Sequence, residues 1–139
     1  MVQLIVGNKG QGKTKHLLDK VNTQVKEVSG NIVYLDHNTK QMYELNNKIR
    51  LINVSDYMIT NCDEFVGFLS GILSQDHDLQ QVYVDAFLNI AHVDAGSMDS
   101  AIDKLEAFSE KFHIDFILSV SVDESELSQQ LKSKVIVAL

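Results

Sequence analysis

The chain has 139 residues, 45% of them hydrophobic, enough for one core and too few for two ordinary domains. Nineteen acidic against 12 basic residues give a formal charge of −7, which argues against a broad basic footprint for a nucleic-acid backbone. A single cysteine, Cys62, excludes an internal disulfide and a cysteine-rich metal site, and no apolar run approaches membrane-spanning length.

The chain starts MVQLIVGNKG, running from apolar residues into glycines without a cleavable signal pattern, so a cytoplasmic location is expected. Gln3 to Val6 predicts a short strand. Beyond a glycine-rich turn, Thr14, Leu17, Leu18, Val21, Val25 and Val28 recur at helical spacing until Gly30. Asn31 to Leu35 and Ile49 to Val54 predict a second and third strand, separated by a polar stretch. Asn61 with Glu64 three residues on forms a capping-box pattern ahead of a helix whose face carries Phe65, Phe68, Leu69, Ile72 and Leu73. Gln81 to Val84 predicts a fourth strand ending at Asp85. A loop from Asn89 to Gly96 then leads to Ser97, the expected cap of a helix with Met98, Ala101, Ile102, Leu105, Phe108 and Phe112 on its apolar face. Phe116 to Val120 predicts a fifth strand, Glu124 to Leu131 a short helix, and Val135 to Leu139 a terminal strand. Near-continuous apolar runs such as VIVAL suit strands covered on both faces. The alternation predicts one α/β domain of three layers around a mostly parallel sheet of five or six strands.

One segment carries chemistry. Gly7-Asn8-Lys9-Gly10-Gln11-Gly12-Lys13-Thr14 fits G-x-x-x-x-G-K-[ST] at every fixed position, directly after a predicted strand and at the start of a predicted helix. Glycines let the backbone curl so that successive N–H groups point at phosphates, and the helix start adds partial positive charge. Lys13 would reach the outer phosphates, and the Thr14 hydroxyl would take a position on Mg²⁺. The second half of such a site is an acid at the carboxyl end of a neighbouring apolar strand, here Asp85, with Asp36 at the end of NIVYL as the rival for the metal role. The expected ligands are therefore ATP and Mg²⁺. ATP is chosen by elimination, because Asn38-Thr39-Lys40-Gln41 and Asn47-Lys48-Ile49-Arg50 lack the aspartate of a guanine-reading N-K-x-D sequence.

Two absences bear on the reaction. Ala86 stands where many such ATPases place a water-orienting glutamate, leaving Asp94, Glu124, Asp36 and His37 as alternative bases. Only one arginine, Arg50, is present to surround a transferring phosphate. The five histidines show no metal-ligand spacing.

Gly7 to Thr14 and Asp85 resemble the Walker A and Walker B elements of the P-loop NTPase superfamily, and the strand alternation extends that resemblance over nearly the whole chain. Within it, the sequence resembles a family of short, uncharacterised bacterial P-loop proteins sometimes labelled as twitching-motility ATPases. The pilus motors behind that label are much longer. The layout is also similar to type II thymidine kinases, which carry a glutamate where Ala86 stands and a zinc-bound lasso with paired cysteines. The deviant Walker A of partitioning ATPases has a second lysine directly after the first glycine, where this chain has Asn8. These resemblances imply Mg²⁺-dependent ATP binding with slow hydrolysis that a protein partner or second subunit would accelerate. A non-hydrolysing nucleotide switch, with ATP binding its whole task, and a small-molecule or nucleoside kinase are the alternatives.

Overall fold

The computed structural model describes residues 1–139 as a six-stranded, all-parallel sheet between two layers of helices. The strands are β1 (Val2–Val6), β2 (Asn31–Asp36), β3 (Arg50–Asn53), β4 (Leu79–Val84), β5 (Asp115–Val120) and β6 (Val135–Ala138), in the order β3-β2-β4-β5-β1-β6. The helices are α1 (Lys13–Gln24), α2 (Cys62–Gln75), α3 (Phe87–Ile90), α4 (Met98–Phe112) and α5 (Gln129–Lys132). Helix α1 covers one face of the sheet, where Leu17 and Val21 pack with Ile5, Ile32, Tyr34, Tyr83 and Ile117. Helices α2, α3, α4 and α5 share the larger core on the other face, with Leu4, Val33, Leu35, Val82, Val84, Phe116 and Leu118. Side chains of a strand alternate between faces, so consecutive residues of one strand divide between the two cores. No helix is long and apolar enough to cross a membrane.

Local signals explain most element boundaries. Asn61 caps α2 by accepting from the Glu64 N–H at 2.9 Å, while Glu64 Oε1 accepts from the Thr60 N–H at 2.7 Å, one residue earlier than a strict capping box would have it. Helix α4 starts differently from expectation. Ser97 makes no side-chain cap; Asp94 caps the preceding 3₁₀ turn, Ala95–Ser97, by accepting from the Ser97 N–H at 3.0 Å. The predicted loop from residue 89 begins only after α3, and the predicted helix from Glu124 to Leu131 is a 3₁₀ turn (Glu124–Glu126) followed by α5.

The apolar run VIVAL is not a central strand. It forms β6 on the sheet edge beside β1, where Val135 and Val137 reach the two cores only partly buried and Ile136 is 40% exposed. Phe112, 39% exposed, likewise falls off the buried face of α4, although its ring packs against Phe108 at a tilt of 57° with centroids 4.8 Å apart.

Candidate functional site

In an all-parallel sheet every strand ends at the same edge, so the segments following β1, β2, β4 and β5 converge there. Register then fixes which side chains meet. Leu35 pairs with Val84 and Val84 with Leu118, all on the α2–α4 face. One residue further along, Asp36, Asp85 and Ser119 stand side by side and alternate onto the α1 face, toward the start of α1.

The loop between β1 and α1 is built by its glycines. Gly10 and Gly12 have φ of 86° and 94°, conformations that L side chains rarely adopt. An ideal Cβ at either meets nothing within 4 Å, so the glycines serve backbone shape rather than close packing. Gly7 is needed for space, since a Cβ there would lie 2.9 Å from Leu139 Cβ at the end of β6. Gly12 stands at the N-cap of α1 without any side-chain cap, and the first turn holds no acidic residue, so the helix itself supplies nothing to offset its positive end.

Lys13 and Thr14 follow. Lys13, although it is the first residue of α1, is only 8% exposed, and its Nζ donates to the Asn8 carbonyl at 3.1 Å. Burial lowers its proton affinity below the ordinary lysine range, and the nearby charge of Asp85 opposes that shift. The Thr14 hydroxyl donates to Asp85 Oδ2 at 2.9 Å. Asp85, 7% exposed, takes two further hydroxyl donors: Tyr34 on Oδ2 at 3.0 Å and Ser119 on Oδ1 at 2.9 Å. Ser119 Oγ also accepts from the Ala86 N–H at 2.7 Å, which holds Ala86 in its left-handed conformation at φ 59°. Desolvation first, then the charge of Asp85, pushes the Tyr34 hydroxyl far above its ordinary value, so it remains a donor. Its ring stacks with Tyr83 at 6.5 Å between centroids.

These groups surround a cavity of about 570 Å³ lined by Lys9, Gly10, Gly12, Lys13, Thr14 and Asp85, and continuing past Ala86 and Ser119. Gly7, Asn8 and Gln11 of the predicted loop do not line it; Asn8 contributes only the carbonyl that holds Lys13. Of the four alternative bases, Asp36 and His37 line the cavity. Asp94 is engaged at the start of the 3₁₀ turn before α4, and Glu124 lies in a separate groove with Lys132. Phe87 is fully buried in the core, and Ala86 is the one hydrophobic residue lining the cavity. Arg50 begins β3, at the opposite end of its strand from the cavity, in a groove with Tyr57 and Phe68. No group of three His, Cys, Asp or Glu side chains assembles that could hold a metal ion alone.

The donor set has a definite chemistry. One hydroxyl and one carboxylate, both hard oxygen ligands, suit a small divalent cation that keeps waters and takes its remaining ligands from phosphates, as Mg²⁺ does. Lys13 and the bare start of α1 suit the phosphates themselves. Tyr34 and Ser119 escaped the sequence reading, though each is a polar residue near the carboxyl end of an otherwise apolar buried strand. No protein-family model matches the chain, and no curated protein is significantly similar to it.

Proposed function

We propose that the protein binds ATP with Mg²⁺ in this cavity and hydrolyses it slowly. The observation that carries this reading is the 2.9 Å hydrogen bond from Thr14 to Asp85, which joins the last residue of the glycine loop to the acid of a strand two positions away in the sheet. Two residues 71 apart in sequence meet where the motif requires a metal, while Lys13 waits on a carbonyl within the same loop. Phosphates entering the loop replace the Asn8 carbonyl as partner of Lys13 and return to it the proton affinity that burial removes. Bound Mg²⁺ would neutralise charge on the outer phosphate oxygens, held by Thr14 directly and by Asp85 directly or through a water.

Slow turnover follows from what the cavity lacks. Ala86 supplies no acid beside Asp85, and with Arg50 at the far end of β3 no guanidinium reaches the cavity. A protein partner or a second subunit that contributes a cation would raise the rate. The polar lining, with no Phe, Tyr or Trp in it, weighs against a nucleoside as the second substrate of a kinase.

Titration of ATP into the wild type and Asp85→Ala, with and without Mg²⁺, tests this reading. Mg²⁺ should tighten ATP binding to the wild type by at least about tenfold, and the gain should largely vanish in the variant. An unchanged Mg²⁺ gain in Asp85→Ala would move the metal role to Asp36.

A further inference from the structure

Asp36 ends β2 beside Asp85, but the two carboxylates are used differently. Both oxygens of Asp85 are taken by hydroxyl donors. Asp36 is 2% exposed, and only its Oδ1 is engaged, accepting from the His37 N–H at 2.7 Å and lying 3.0 Å from His37 Nδ1. No protein donor reaches Oδ2. Because no fully enclosed side-chain oxygen in the chain lacks a partner, and Asp36 lines the cavity, Oδ2 faces into it. This carboxylate oxygen, open to the cavity and without a protein donor, is free to accept a hydrogen bond from whatever enters.

The surroundings extend the same preference. Gln41 and Asn89 line the cavity with side-chain amides that have no protein partner, and Asn38 uses only its Oδ1, on the Lys40 N–H at 2.9 Å. This end of the cavity offers more polar capacity than a phosphate chain needs, and no Phe, Tyr or Trp lines it.

Resting on the ATP reading above, we propose that Asp36 is a catalytic residue whose Oδ2 accepts the proton of the hydroxyl attacking the γ-phosphorus, that hydroxyl belonging to water or to a small polyol seated among Asn38, Gln41 and Asn89. The hydroxyl oxygen bonds to the γ-phosphorus as the bond from that phosphorus to the β,γ-bridging oxygen breaks. ADP leaves with the electron pair of the broken bond, and the hydroxyl proton passes to Asp36 Oδ2. His37, paired with the opposite carboxylate oxygen and exposed, offers the route by which the proton returns to solvent. Desolvation, aided by the charge of Asp85 against the hydrogen bond from the His37 N–H, raises the proton affinity of Asp36, as suits an acceptor.

The test compares the wild type with Asp36→Asn, which keeps an oxygen for the His37 N–H. Mg²⁺–ATP binding is measured by calorimetry and the rate of ADP formation by a coupled assay, in buffer and with glycerol, ribose or myo-inositol. Phosphorus NMR then identifies the product. The expected result is ATP affinity within about threefold of the wild type and a kcat lower by about 100-fold or more, with KM unchanged. Inorganic phosphate as the product identifies water as the nucleophile, and a phosphoester identifies the polyol. ADP formation in Asp36→Asn within threefold of the wild type overturns the proposal, as does a wild type that binds ATP without turning it over. Loss of ATP binding in Asp36→Asn also overturns it, by making Asp36 part of the nucleotide grip. A wild type that binds no ATP fails earlier, at the reading on which the proposal rests.

Discussion

Asp85 accepts from three hydroxyls belonging to three different elements, Thr14 on α1, Tyr34 on β2 and Ser119 on β5. Such a carboxylate is held in one orientation before any ligand arrives. Ser119 is the most demanding of the three, because its hydroxyl donates to Asp85 and also satisfies the Ala86 N–H. Ser119→Ala leaves two groups without their partner in a nearly closed site, and should lower unfolding free energy by about 2 kcal/mol. Urea denaturation checks this, and a loss below about 0.5 kcal/mol would mean that neither bond matters. Asp36 makes a pH-dependent prediction. Its proton affinity is raised in the fold, so its contribution to stability is full below the ordinary carboxylate value and is lost as pH rises through the raised value. Asparagine imitates the protonated form. Thermal melts of Asp36→Asn and the wild type should therefore coincide in acid, with the variant melting higher near neutrality. The reverse order near neutrality would contradict the assigned burial effect. A stability gain from removing a buried acid is also what a site kept for function would show.

At the scale of elements, capping gives the sharpest contrast. Asn61→Ala removes the acceptor for the Glu64 N–H at the start of α2 and should cost about 1 kcal/mol, whereas Ser97→Ala, at a position with no side-chain cap, should change stability by less than about 0.5 kcal/mol. Equal losses in the two variants would refute the distinction. The same pair explains what the sequence reveals about elements. Asn61 lies directly before a periodic apolar face, so residue type and position agree. Ser97 follows a run of small and acidic residues in which Asp94 caps an earlier turn through the Ser97 N–H, and nothing in the residue types says which of the two starts carries a side-chain cap. Strand existence was legible from the apolar runs, yet the edge position of β6 was not, because VIVAL reads alike at an edge and at a centre. Within the site, the loop and Asp85 were legible because a fixed spacing and a strand-ending acid are local patterns. The hydroxyls of Tyr34 and Ser119 act through register between strands far apart in sequence, which no local pattern records.

At the scale of the whole molecule, the parallel sheet does the assembling. The glycine loop, Asp36, Asp85 and Ser119 come from four strands that share one direction, and α1, with Leu45 and Ile49 beside it, covers the face toward which the three polar side chains alternate. The strand between β1 and β4 spaces the loop from Asp85 while contributing Ser119 to it. This arrangement predicts that ligand binding stabilises the whole domain: saturating Mg²⁺–ATP at about 100 times its dissociation constant adds about 2.7 kcal/mol. Thermal melts with and without ligand check this, and an unmoved midpoint would contradict it. The most direct measurement is calorimetric titration of ATP, GTP and ADP, with and without Mg²⁺, into the wild type and Lys13→Ala. The Lys13 ammonium hydrogen-bonds only to the Asn8 carbonyl of its own loop, so the variant should keep the wild-type melting temperature within a few degrees. The account predicts Mg²⁺-dependent ATP binding that weakens by about tenfold or more in Lys13→Ala; absence of binding by every nucleotide, or equal affinity in the two proteins, would contradict it.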